Sequence, residues 1–212
     1  MKIKDVINPA NALLKNRCSI RKYDPSVKIG KNEMADILQD AMTAPSSLNL
    51  QPWRFVVIDS EEGKELIKPY MMFNTLQWET SAAIIAIFGD MDNISSAGQI
   101  LSGSVEAGLI TEEEKEARIS KIQQLTGFYT EEKLRDTIIF DCGMVTMQIM
   151  LSAKSYGYDT NPIGGYMKKE LTDALGLDAK RYIPVILLSI GKPAEECHDT
   201  IRYSVDEITQ WR

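Results

Sequence analysis

A single histidine stands in 212 residues, and the three cysteines, Cys18, Cys142 and Cys197, form no C-x-x-C pair. Without such a pair they do not carry the spacing of a closed zinc site. His198 lies in a polar stretch, EECHDT, and reads as a surface residue, so histidine chemistry is not expected. Long apolar runs are missing too: the longest, Ala82 to Phe88, is far short of the ~20 residues that span a bilayer. The N-terminal MKIKDVINPA has no apolar signal core, so a cytoplasmic protein is expected. Positive charge is in deficit. The 24 Lys plus Arg against 30 Asp plus Glu leave a net −6 and a pI of about 5.0. Such a chain repels phosphate backbones overall, so no nucleic-acid partner is expected.

Familiar catalytic strings are absent as well. No G-x-G-x-x-G follows a strand-like run, no G-x-x-x-x-G-K-[ST] occurs, and no G-x-S-x-G is present. These gaps favour an enzyme whose chemistry is carried by a bound cofactor. They are equally consistent with no enzyme at all.

What is present is an ordinary folding composition, 44% hydrophobic and 25% charged, which argues against disorder. The period of Met34, Ile37, Leu38, Ala41 and Met42 predicts a helix over Glu33–Met42. Trp53–Ile58 reads as a strand. Asp59 and Glu62 read as a capping pair opening a helix over Glu61–Met71. Ala83–Phe88 is apolar throughout and predicts a strand buried on both faces. Asp90–Gly108 has no firm period and reads as loop with short helical pieces. Thr111–Gln124 predicts a charged, solvated helix, and Glu131 to about Tyr156 a long core helix stopped by Gly157. Further strands are expected at Tyr158–Ile163 and Pro184–Ile190, with a short helix at Lys168–Leu175 between them. A polar tail from Lys192 ends in an amphipathic piece around Val205, Ile208 and Trp211. No linker divides the chain, so residues 1–212 are expected to form one α+β domain.

Four segments carry candidate chemistry. In Arg17-Cys18-Ser19-Ile20-Arg21 an extended backbone would put Arg17, Ser19 and Arg21 on one face across roughly 13 Å. Two guanidiniums flanking a hydroxyl suit a phosphate and its polyol arm, though the stripe also reads as a solvated basic one. Pro45-Ser46-Ser47-Leu48-Asn49-Leu50-Gln51-Pro52-Trp53 brackets small polar residues between prolines, and can present donors and acceptors to a planar heterocycle or be plain loop. Asn161-Pro162-Ile163-Gly164-Gly165 admits close approach to its backbone N–H groups, or is a simple turn. Arg202 is an isolated cation in the tail.

In this order, R-x-S-x-R, P-S-S-x-N-x-Q-P-W and P-I-G-G resemble the FMN-dependent nitroreductase family. Phe73-Asn74 before the Ser81–Phe88 strand and Tyr182-Ile183-Pro184-Val185 before Leu187–Gly191 extend the resemblance across almost the whole chain. It implies a three-layer fold, a central mostly antiparallel sheet flanked by helices, assembled as an intertwined homodimer with FMN in the interface. The tail, about 192–212, would embrace the partner subunit. By the same resemblance Arg17, Cys18, Ser19, Arg21 and Arg202 surround the phosphate and ribityl arm. Pro45, Ser46, Ser47 and Asn49 reach the flavin of the partner, and Asn74 contacts its ribityl or pyrimidine side. Ile163, Gly164 and Gly165 pass the flavin N5 edge. Many relatives carry a lysine beside flavin N1 and O2 where Gln77 stands here, and some carry a second basic tail residue where Thr200 stands. A lower flavin potential and a weaker FMN grip follow as expectations.

The implied reaction is ping-pong: NAD(P)H delivers hydride to FMN and leaves, and a nitroaromatic or quinone-type small molecule takes its place. No residue is expected to be catalytic in its own right, although the Gly164-Gly165 backbone would tune the flavin. Two alternatives stay open: the same fold reducing activated enones or halogenated substrates, and a flavin-binding redox sensor or carrier without turnover, in which Cys18 serves as a responsive thiol. The acceptor face is expected from Met71–Gln77 and Asn93–Gln124.

Overall fold

The computed structural model describes residues 8–212. The stretch read for a signal core falls, as far as residue 7, outside them. Four strands, β1 (Trp53–Ile58), β2 (Ala83–Asp90), β3 (Asp159–Ile163) and β4 (Tyr182–Gly191), form one antiparallel sheet in the order β1-β2-β4-β3. β2 is buried along its whole length, as its unbroken apolar run predicts. Side chains alternate across a strand, and β2 shows the consequence. Ile85 and Ile87 enter one core cluster, while Ile84, Ala86 and Phe88 enter another on the opposite face.

The first face is covered by α2 (Lys31–Ala41) and α7 (Glu131–Ser155), through Met34, Ile37, Val145 and Ile149. The second is covered by α3 (Glu61–Ile67), α4 (Thr75–Thr80) and α8 (Lys168–Ala174), through Ile67, Trp78 and Leu171. The result is three layers, helix on sheet on helix. α7 lies close because residue 89 is glycine: a Cβ there would meet Ile138 Cγ2 at 2.2 Å. The β2–β4 register slips between Ile87 and Phe88, where Phe88 opposes Pro184. Proline has no N–H for the ladder, and a bulge is where a sheet tolerates it.

The sequence expectations hold for most elements and fail at identifiable places. The cap of α3 is Ser60, not Asp59, since Ser60 Oγ accepts the Gly63 N–H at 3.0 Å. The helix is shorter than expected and passes into a 3-10 turn at Lys68–Tyr70. Asp90–Gly108 does hold helical pieces, a 3-10 turn and then α5 (Ala97–Glu106), but α5 is longer than expected at 10 residues, and only Ala97 and Leu101 of it are buried. Two buried positions among Gly and Ser are too few to register as a period. α1 (Pro9–Asn16) is an unforeseen helix whose signal was present, because Asn8 caps it through Oδ1 and Pro9 occupies its first turn. α6 (Glu112–Thr126) opens with a capping box between Thr111 and Glu114. α7 stops at Gly157, φ +83°, as expected. α9 (Val205–Ile208) is the amphipathic piece of the tail. No helix among the described residues is long and apolar enough to cross a membrane.

Candidate functional site

Residues 17–21 leave α1 as extended chain and run beside β3. Ser19 makes a parallel bridge to Thr160, and the Ile20 N–H donates to the Thr160 carbonyl at 3.1 Å. Alternation then sorts the side chains. Ile20 is buried, while Ser19 and Arg21 face outward as the pattern requires. The tail holds this segment from its other edge. Ala194 N–H donates to the Lys22 carbonyl, and Glu195 Oε1 accepts the N–H groups of Arg21 and Lys22 at 2.6 and 3.1 Å. Cys18 pairs with Cys197 across a sequence separation of 179, their Cα atoms 6.0 Å apart. Nothing in the spacing of the cysteines announced that pairing.

Two polar atoms here have no partner among the described residues. Arg17 Nη1 and Thr160 Oγ1 are buried without a hydrogen bond. Burying a donor unpaired costs about 1–3 kcal/mol, more for a charged group. A neighbouring anion would offset that cost, so the segment fits a phosphate on the chemistry of its donors.

The Pro45–Asn49 loop is pinned from below. Asp141, on α7 and fully buried, accepts the Ser47 N–H at 3.1 and 3.0 Å and the Ser47 hydroxyl at 3.0 Å. Burial pushes the Asp141 carboxyl above the usual range, opposed by the two Ser47 donors. Ser46 Oγ accepts the Gln51 N–H at 3.1 Å and closes the turn. Leu48, Asn49 and Gln51 sit at φ 55°, 55° and 45°. Three non-glycine residues in the left-handed region are each strained, and such strain collects at binding loops. Pro45 and Asn49 are exposed, so the loop presents its tip outward. Asp141 was legible only as an interruption in an apolar helix; its role as anchor was not.

The third group meets at the end of β3. Asn74 Nδ2 donates to the Gly165 carbonyl at 2.7 Å and to the Met71 carbonyl at 3.1 Å, and its Oδ1 accepts from Gln77 Nε2 at 3.4 Å. Ile163 and Gln77 are buried, whereas Gly164 and Gly165 are exposed. A Cβ on Gly164 would meet nothing within 4 Å, and one on Gly165 only Asn74 Nδ2 at 3.8 Å. Neither glycine has a positive φ. Packing among the described residues therefore does not demand them.

Arg202 stands apart from these three groups. It is exposed, and its guanidinium donates to the neighbouring Ile201 carbonyl at 3.1 Å. Of the three arginines expected around a phosphate, Arg17 and Arg21 thus lie on one extended segment and Arg202 lies apart from it. Among the described residues no cluster of His, Cys, Asp and Glu could hold a metal.

The profile of the nitroreductase family matches residues 14–192, which takes in all of these segments except the tail. The chain belongs to the nitroreductase family. Relatives within it span the full length. A Bacillus subtilis protein, YdgI, whose name carries a provisional NAD(P)H nitroreductase assignment, is 49% identical over 94% of this chain and 96% of its own. The CLA biosynthesis enone reductase of Lactiplantibacillus plantarum is 36% identical over 99% of this chain and 97% of its own. A crystal structure of a provisionally assigned nitroreductase from Exiguobacterium sibiricum, solved with FMN, superposes with a TM-score of 0.95 at 45% identity. It covers 99% of this chain and 100% of that one. The three-layer arrangement described above is therefore the nitroreductase fold.

Proposed function

We propose that this chain is an FMN-dependent oxidoreductase that takes hydride from NAD(P)H and reduces a nitroaromatic or quinone-type acceptor in a ping-pong sequence. The observation that carries this reading is the buried, unpartnered Nη1 of Arg17 at the head of the Arg17–Ser19–Arg21 face. FMN, when bound, supplies the hydride acceptance and electron transfer that no side chain here provides. Arg17, Ser19 and Arg21 hold its phosphate, which carries roughly −1.5 to −2 charges at neutral pH. Arg202 stands apart from that face in this chain, so the proposal gives it the same phosphate only through the tail of the partner subunit. Asn74 orients the Gly165 peptide through its 2.7 Å bond, and so fixes the backbone that passes the reactive edge. Asp141 holds the Ser47–Asn49 turn in the shape that meets the flavin of the partner subunit.

A homodimer is part of the proposal. Phe73, Phe128 and Phe140 are 94%, 86% and 69% exposed, and the tail leaves Ile201, Tyr203 and Trp211 at 98%, 77% and 80%. That much open apolar surface supports a protein partner, and the tail would embrace it. A cytoplasmic location, where NAD(P)H is at hand, belongs to the same reading.

A second reading keeps the site and changes the acceptor. The L. plantarum relative is named an enone reductase, so a conjugated enone is a rival for the nitroaromatic. The test is the absorbance spectrum of the purified protein, then anaerobic mixing with NADH and with NADPH. Flavin absorbance that bleaches and returns on adding a nitroaromatic or quinone supports the first reading. Return with an enone only supports the second. No flavin, or a flavin that neither nucleotide bleaches, contradicts both.

A further inference from the structure

Outside the segments assigned above, α5 and α6 stand off the three-layer body and enclose a cavity of about 240 Å³ against the Leu48–Leu50 turn. Its floor is apolar and buried, made by Leu50, Ala97, Leu101 and Ile122, which form a core cluster of their own. Its rim is cationic: Arg118 and Lys121, three residues apart on α6, line the opening. No carboxylate lines it. Among the described residues neither cation lies within 4.0 Å of an acidic group. Glu114, one turn before Arg118, feels the Arg118 charge, but its carboxylate is engaged in the helix cap, where it accepts the Thr111 N–H at 2.7 Å. In a chain of net charge −6, an apolar slot bordered by two cations, neither in an ion pair among the described residues, is a local reversal of sign.

We propose that this cavity anchors the electron acceptor, and that it selects acceptors with an apolar body ending in a carboxylate. The inference rests on the oxidoreductase reading, because Asn49 borders both the cavity and the loop assigned there to the flavin. The floor desolvates the hydrocarbon part, and the long stems of Arg118 and Lys121 extend that contact while their heads stay in water. A cavity of about 240 Å³ is many times the space one water needs, and it admits a medium-length chain. The two heads then meet the carboxylate at the mouth. Exposed ion pairs are individually weak and screened by salt, so the pair together sets a preference of about tenfold.

The test is calorimetric titration of the FMN-loaded protein with octanoate and with 1-octanol, which share a chain and differ in charge. Octanoate is expected to bind about tenfold more tightly at low salt, and the advantage shrinks as sodium chloride is raised. The double substitution Arg118→Gln/Lys121→Gln removes the difference, with FMN content and melting temperature as checks on folding. Ser104→Trp, at the wall, abolishes binding of both. In turnover, KM for 4-nitrobenzoate rises about tenfold in the double variant, while KM for 4-nitrobenzyl alcohol stays put. Equal affinity for octanoate and octanol overturns the proposal. So does undiminished octanoate binding in either variant, or octanoate driving dimer into monomer, which would make the cavity a seat for a second copy. Because the heat of binding needs no turnover, octanoate binding without flavin reduction contradicts the oxidoreductase reading alone. Turnover without octanoate binding contradicts this one alone.

Discussion

Asp141 offers the sharpest mechanical test, because one buried carboxylate holds a loop 94 residues away in sequence. It accepts two donors from Ser47, the backbone N–H and the hydroxyl, at 3.0 to 3.1 Å. Hydrogen bonds to a charged group contribute about 1.5–3 kcal/mol each. Against them stands the cost of burying the carboxylate, visible in its raised pKa. Asp141→Ala deletes both bonds, leaves a half-buried N–H without a partner and opens a small void. A loss of about 2–4 kcal/mol in unfolding free energy is expected. Asp141→Asn keeps one carbonyl acceptor and removes the buried charge, so its cost should stay below about 1 kcal/mol. Urea denaturation at pH 7 gives both values. The sign with pH follows from the raised pKa. Because the folded pKa is raised, the folded state holds this proton more tightly than the unfolded one does, so the carboxyl's contribution falls as pH rises from the unfolded pKa through the folded one. The Asn variant lacks that slope. If Ala and Asn cost the same within about 0.5 kcal/mol, the hydrogen bonds are not what hold the loop, and the reasoning fails.

Three further outcomes follow from other parts of the molecule. Asp90 is fully buried between Arg54 at 2.9 Å and Arg181 at 2.8 and 2.9 Å. Asp90→Ala should cost about 3 kcal/mol in the same denaturation, the low end for a broken buried pair because both guanidiniums reach solvent. Burial raises the Asp90 carboxyl, but the Arg181 bond and the two arginine charges hold it below the usual range. Its stabilisation is thus present above the unfolded pKa and lost as pH falls through the folded one. The Cys18–Cys197 pair should appear as a linked peptide in mass spectrometry under non-reducing conditions and vanish in Cys197→Ser; two alkylated thiols in the oxidised wild type would refute the pairing. Gln77→Lys places a cation where the resemblance puts the flavin pyrimidine. At about 5 Å and an effective dielectric of ~20 this is worth roughly 3 kcal/mol, or about 60–70 mV upward for a two-electron couple. Spectroelectrochemistry reads it, and an unchanged or lower midpoint potential contradicts the assignment.

The sheet was legible because its strands carry their own burial. Trp53–Ile58 matches its expected bounds, and the all-apolar run at Ala83 grows only by Gly89 and Asp90. α7 was legible from its length, its apolar middle and its glycine stop. α5 was not, since its two buried residues lie among Gly and Ser, and neither was α4, too short at six residues to show a period. The motifs placed the candidate residues, but the contacts that position them are non-local. Asp141 under Ser47, Glu195 beside Arg21 and Cys197 against Cys18 join segments 94, 174 and 179 residues apart, and no local pattern encodes such partners. The cationic rim of the α5–α6 cavity was hidden for a related reason. In sequence Arg118 and Lys121 belong to a run of mixed charge that reads as a solvated face. Only the fold separates the side that borders the cavity from the side that does not.

The central claim, a flavin oxidoreductase fed by a nicotinamide nucleotide, meets its most direct test in anaerobic stopped-flow mixing of the FMN-loaded protein with NADH and NADPH. At least one nucleotide is expected to bleach the flavin absorbance within the mixing experiment, with full recovery when a nitroaromatic or quinone is added. Arg17→Gln should weaken FMN retention without changing the reduction rate of the fraction that stays loaded. A flavin that stays oxidised with both nucleotides would rule out a nicotinamide-fed oxidoreductase.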